Sequence, residues 1–266
     1  MIRSAIPVFI LLAWTAAALF GSFLPLDPDT IDLSKILHGP QGSALLGYDA
    51  LGRPIWDRLV MGAQTSFIVA VWVVLISMII GTVIGSASAY YGGWLDLVVV
   101  RIIDVFLAVP GILLAIALAG VMGPGIENVV IALSIVGWVG YARLSRAQVL
   151  ALKHRDHVTA AISLGTQPSR IILRHLIPLI TAPLIVEATF GVAGVVIAEA
   201  GLSFLGLGVQ PPEASWGSMI GEGTRYMLVA PHMVFAPGIA IMLVVLAVNL
   251  LGDRLRDILD VRSRKQ

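Results

Sequence analysis

Cysteine is absent from the 266 residues. That excludes a disulfide framework and any cysteine-ligated metal. Charge is scarce as well. Asp, Glu, Lys and Arg make up 12% of the chain, about half the share of an ordinary soluble domain. A Gly-rich phosphate loop ending in Lys-Ser or Lys-Thr is missing, so the chain does not itself hydrolyse ATP. Of the five histidines (His38, His154, His157, His175, His232), only His232 lies near an apolar run, at its edge. Ser77 and Ser134 sit within apolar runs without an evident base, so an intramembrane hydrolase lacks its parts. His154 and His157 share a helical spacing that suits a metal, but a solvated basic helix explains them better. A convincing internal repeat is missing, and intramembrane charges are few, which argues against a self-contained secondary transporter. Nothing in the pattern calls for a cofactor or for nucleic acid.

What is present is apolar. Hydrophobic residues reach 58% and the mean hydropathy is +0.95. A surface of that kind is solvated by lipid, where a spanning helix needs roughly 20 apolar residues. The expected fold class is all-α, a polytopic membrane protein with about six transmembrane helices. Its spans are expected at Ala5–Leu24, Ser66–Ala89, Leu97–Val121, Ile126–Ala142, Ile177–Ala198 and Val229–Leu251. The first has signal-peptide traits in Arg3 and the Ala16-Ala17-Ala18 run. Its length and the distant boundary at Asp27 and Asp29 favour a retained helix. With the N-terminus cytoplasmic, only Lys35, Arg53, Arg58 and Arg225 of the 17 basic residues fall outside. The other 13 fall inside, as the positive-inside tendency requires, and the C-terminus is cytoplasmic too. Trp138 and Tyr141, just before Arg143, suit an interfacial aromatic belt.

The chain divides into residues 1–65, a first helix with an extracytoplasmic segment, and residues 66–266, a five-helix core carrying a cytoplasmic loop at 144–175. Arg53–Thr65 alternates polar and apolar residues at helical spacing and suits a helix lying along the membrane. Ser77, Gly81, Gly85 and Ala89 place a small residue at every fourth position, a face for close helix approach. That face serves either packing within the subunit or contact with a second subunit, and Gly191 and Gly194 leave the same choice. Pro110 and Pro237 each remove a backbone donor and kink their spans. Asp104 follows Arg101 by three residues, a spacing for a same-helix ion pair. The loop from His157 to Pro178 reads as helix, turn, helix. Gly165 suits the left-handed cap of the first helix, and Pro168 suits the first turn of the second.

That loop resembles the coupling loop of ATP-binding-cassette importer permeases, whose pattern is Glu-Ala-Ala, three residues, Gly, and later Leu-Pro. Ala160, Ala161, Gly165 and Pro178 match. Thr159 stands in the place of the Glu and Ile177 in that of the Leu. Three further segments resemble the dipeptide, oligopeptide and nickel group of these permeases. They are Leu46 to Pro54 with Arg58 through Ser66; Arg101, Asp104 and Pro110; and Glu199 to Gly208 with Pro211-Pro212 and Ser215-Trp216-Gly217. The match runs from about residue 45 to the C-terminus and is nearest the C-type permease of dipeptide systems.

The resemblance implies the type I importer fold in a bacterial plasma membrane and half of a translocation path for di- or oligopeptides, nickel chelates or haem-like cargo. It also implies a second homologous permease subunit, one or two cytoplasmic ATPases and an extracytoplasmic solute-binding protein. The ATPase contact is expected at Val158, Thr159, Ala160, Ala161, Leu164 and Gly165. Arg155 and Arg170 stand nearby as electrostatic contacts or orientation determinants. A carboxylate at membrane depth is costly and marks function by default. Glu187 is therefore a candidate for lining the path toward a cationic group on the solute, with protonation or pairing to a neighbouring helix as the alternative. Glu199 is a second candidate, with a structural hydrogen bond to the following loop as its alternative. Phe204 is a third, and Phe204 and Leu205 are expected to be buried.

Overall fold

The computed structural model describes residues 2–42 and 44–263. Arg264 and Lys265, counted above among the inner cations, lie outside these residues. Among the described residues ten α-helices follow one another: α1 Ile2–Phe20, α2 Ile55–Tyr91, α3 Gly93–Leu107, α4 Gly111–Met122, α5 Ile126–Leu152, α6 Asp156–Ser163, α7 Pro168–Ile171, α8 Ile177–Phe204, α9 Trp216–Thr224 and α10 His232–Ser263. Five stretches among the described residues are long and apolar enough to cross a bilayer: Ala5–Phe23, Ile55–Tyr91, Ile126–Leu152, Pro168–Phe204 and His232–Leu259. The pair α3 and α4 makes a sixth if counted as one broken span.

Several boundaries differ from expectation. Arg53–Thr65 does not form a separate surface helix, because Ile55–Thr65 is the first part of the 37-residue α2. The proposed division at 65/66 falls inside that helix. Pro110 does far more than kink the third span. Residues 108–110 break it, and α3 and α4 meet at 86°. Residues 144–152 belong to α5, not to the loop. Arg146 makes that extension tolerable, since Asp96 of α3 holds its guanidinium through two hydrogen bonds of 2.6 and 2.7 Å. Arg146 is thus satisfied by protein, and the helix runs on past its apolar stretch. Trp138 and Tyr141 consequently lie in the interior, 9% and 5% exposed, rather than in an interfacial belt. Pro178 leaves Arg174 without its usual intrahelical donor, and a π-helical turn at Ile172–Leu176 joins α7 to α8 there.

The small-residue face of α2 packs on α5 within the subunit. A side chain at Gly81 or Gly85 would collide with the α5 backbone around Trp138 and Ala142. Ser145 Oγ donates to Gly81 O across this seam at 3.3 Å, and Lys153 Nζ donates to Ala89 O at 2.9 Å. Lipid offers no hydrophobic drive between helices, so backbone proximity and such bonds hold the pair together. On the other side of α2, Trp14 Nε1 donates to Ala63 O and Trp216 Nε1 to Leu59 O. These bonds satisfy two buried indoles while fastening α1 and α9 to α2. Arg53, Leu59 and Tyr48 meet α9 and the start of α10 near one end of α2, and Val158 of α6 packs in the same core cluster as Ala89 near the other end.

Candidate functional site

Three polar constructions stand out from the apolar bundle. The first is a crevice of about 290 Å³ between α2, α4, α5 and α8. Its wall is apolar apart from Ser77, Tyr141 and Glu187. Glu187, Gly191, Gly194 and Ala198 follow at helical spacing along one face of α8, so small residues leave open volume beside the carboxylate. Gly137 and Tyr141 repeat that arrangement on α5. Space left by Gly137 receives the Ser77 hydroxyl, 2.6 Å from where a β-carbon at 137 would stand. Space left by Gly191 likewise receives the Tyr141 hydroxyl, one turn of α8 from Glu187. Both hydroxyls are buried and without a hydrogen-bond partner among the described residues. The break at Pro110 brings Gly111 and Ile112, the first turn of α4, into the wall.

The expected path residues separate here. Glu187 lines the crevice. Glu199 faces away from it, 1% exposed, and accepts hydrogen bonds from Ser66 Oγ at 3.1 Å and Ser203 Oγ at 2.7 Å. These bonds run to α2 and to its own helix end, where the alternative reading expected one to the following loop. Phe204 is 46% exposed and Leu205 54%, not buried as expected, because α8 ends there and nothing in the subunit covers them. Sequence reasoning missed Tyr141 and Ser77 as wall residues. In the sequence Ser77, four residues before Gly81, reads only as packing, and Tyr141, four residues after Gly137, only as an interfacial aromatic.

The second construction is the α6 hairpin. Gly165, at φ +75°, caps α6. Its N–H donates to Ile162 O, and that of Thr166 donates to Ala161 O. These two bonds close the helix end and fix the direction of exit. Pro168 then opens α7. Val158 and Ala161 of the expected contact are buried, and Val158 packs in the subunit's own core with Ile171 and Leu176. Thr159, Ala160, Leu164 and Gly165 face outward, as do Arg155 and Arg170. Ile162, absent from the expected contact set, is 50% exposed beside Leu164 at 86%. The Thr159 hydroxyl donates to Arg155 O at 3.3 Å, so this position presents no charge to a partner. His154 and His157 are exposed, and no cluster fit for a metal exists among the described residues.

The third construction closes the opposite end. Asp49 accepts from the backbone N–H groups of Leu51 and Arg53 and from both Arg53 Nε (2.7 Å) and Arg58 Nη1 (3.2 Å). Both guanidinium groups also reach Glu222 of α9, at 3.1 and 3.2 Å. Arg58 is 1% exposed. Burial pushes the Glu222 carboxyl up from its ordinary range, against the downward pull of Arg53. Gly206, at φ +80°, ends α8 with the same pair of bonds that ends α6: Gly206 N–H to Ser203 O and Leu207 N–H to Leu202 O. Ser215 and Ser218 cap α9 reciprocally. His232 Nε2 meets Tyr48 O at 3.2 Å, tying α10 to the loop. On the open surface, Lys35 and Ser34 hold the Asp32 carboxyl down to about 2. Arg101 and Asp104 do pair, at 3.7 Å, on an exposed face of α3.

Comparison with known proteins agrees with this architecture. Residues 79–265 match the family described as binding-protein-dependent transport system inner membrane component. A glutathione transport system permease protein GsiD of Pectobacterium atrosepticum is 41% identical over 258 residues, 97% of this chain and 86% of that protein. The Escherichia coli protein of the same name is 42% identical, over 97% and 85%. An inward-facing structure of the MetNI methionine ABC transporter superposes with a TM-score of 0.63 at 19% identity, covering 77% of this chain and 98% of that one. At that identity the likeness concerns the fold alone. The chain belongs to the binding-protein-dependent inner membrane transport family, as a multi-pass permease subunit of an ATP-binding-cassette importer in the peptide and nickel group.

Proposed function

We propose that this subunit forms half of a translocation path for short peptides, glutathione among them. A second, homologous permease subunit supplies the other half. The observation that carries the solute class is 41–42% identity, over nearly the whole chain, to proteins named as glutathione permeases. The α6 hairpin faces the cytoplasm together with both termini, an orientation supported by the distribution of basic residues. Thr159, Ala160, Ile162, Leu164 and Gly165 meet a cytoplasmic ATPase, with Val158 and Ala161 anchoring the helix to the bundle. Support comes from two large apolar side chains left exposed on a polar hairpin, the pattern of a contact surface. A capped, anchored helix moves as a rigid body, and packed interfaces switch between discrete arrangements. The loop at 25–54 and the α9 end face the solute-binding protein.

The test is uptake by the complete transporter in proteoliposomes. Labelled glutathione, Ala-Ala and a nickel–histidine complex are offered in turn with the binding protein. ATP-dependent accumulation of the peptides is the expected result. Accumulation of the nickel complex alone would overturn the peptide reading.

A further inference from the structure

Within the crevice, Glu187 has no cation opposite it among the described residues. Its neighbours Tyr141 and Ser77 are 5% and 1% exposed, and each carries a hydroxyl without a hydrogen-bond partner. A buried hydroxyl left unbonded is unfavourable, and two of them in the wall of a crevice that also holds a carboxylate describe a polar site in an apolar bundle. The rest of the wall is aliphatic. A group that satisfies this set carries a positive charge and several hydrogen-bond donors and is small. A protonated amine meets all three conditions. An anion is refused by Glu187, and a neutral apolar group leaves the carboxylate unanswered.

We propose that this crevice is a transient binding site for the solute's ammonium group, with Glu187 as its counter-charge and Tyr141 and Ser77 in its wall. The inference rests on the peptide-import reading for its solute, in which the ammonium is a peptide's amino terminus. Gly137 and Gly191 are specificity-determining by the same argument, since they hold open the space for the two hydroxyls. The aliphatic wall takes the first side chain of the peptide without selecting among them.

The absence of cysteine supplies the test. Gly194 lines the crevice, and a β-carbon there meets nothing within 4 Å, so Gly194→Cys gives one thiol in this chain. In the complete transporter, that thiol is labelled with two thiosulfonates of similar size, one bearing trimethylammonium and one sulfonate, and the adduct on this chain is followed by mass. The cationic reagent is expected to react faster, by about tenfold or more, and Glu187→Gln is expected to bring the ratio to about one. Glu187→Asp, which keeps the charge, should retain most of the preference. Ala-Ala should protect the thiol, whereas N-acetyl-Ala-Ala should not. Equal labelling by both reagents in the parent protein would mean that the partner subunit already neutralises Glu187, and would overturn the site. A preference that survives Glu187→Gln, or equal protection by both peptides, would overturn it too. The importer reading is tested separately in the same sample. If ATP with vanadate leaves the labelling rate unchanged while the charge preference holds, access is not ATP-coupled and that reading fails, not the ammonium site.

Discussion

The two polar ends of this permease are built on opposite plans. At the α9 end, Asp49, Arg53, Arg58 and Glu222 answer one another, so that formal charge is balanced and guanidinium groups are buried. At the α6 end, Arg155 and Arg170 stand exposed and unpaired among the described residues, beside exposed Ile162 and Leu164. One end satisfies its charges within the single chain; the other leaves basic and apolar side chains uncovered. A buried ion cluster with its hydrogen bonds filled resists separation, because removal of one member strands the others away from water. An exposed apolar pair on a rigid helix contributes nothing to the subunit's own stability and is free to bind.

This contrast can be broken by substitution. Arg58→Ala is expected to have the largest effect on stability. It leaves Asp49 and Glu222 short of a cation and should cost about 3–5 kcal/mol, read as a lowered thermal midpoint of the purified transporter. Gly165→Val comes next. Its φ of +75° is strained for a β-branched residue by about 1–3 kcal/mol. The loss should stay local, with normal membrane insertion and a several-fold drop in ATP-driven uptake; normal uptake would remove the turn from the coupling account. Leu164→Asp should change stability by less than about 0.5 kcal/mol yet abolish co-purification of the ATPase. If Leu164→Asp lowered stability as Arg58→Ala does, the two ends would not differ as argued. The smallest effect is expected at Asp32. Its depressed carboxyl supports the Ser34 turn fully above the ordinary value of 3.8, and that support fades as pH falls through about 2. Hydrogen exchange at the Ser34 N–H, which donates to Asp32 Oδ1, should quicken over that window once corrected for intrinsic rate.

Much of the bundle was legible because lipid imposes one rule, that apolar runs of spanning length are helices. The α6 hairpin was legible down to its capping glycine, since only a few residues tolerate a left-handed turn. What escaped were features set by residues distant in sequence. Arg58 reads as an exposed outer charge until Glu222, 164 positions away, is placed beside it. Tyr141 reads as an interfacial aromatic until Asp96 is seen to hold Arg146 and lengthen α5 beyond it. Pro110 announces a bend, but the 86° angle depends on how α4 packs against α5 and α8. In the candidate site, Glu187 was found by the cost of a charge at membrane depth. Its two hydroxyl neighbours were not, because serine and tyrosine carry no such penalty in sequence.

The dependence of the hairpin on a separate motor is tested most directly by a single engineered thiol. With Leu164→Cys in this cysteine-free chain, a short bifunctional thiol-to-amine crosslinker is applied to the assembled transporter in native membranes, and the adduct is identified by mass. Capture of a nucleotide-hydrolysing subunit, with a yield that changes on adding ATP and vanadate, is the predicted result. A crosslink confined to lipid or to the permease subunits, with no ATPase captured under either condition, would contradict it.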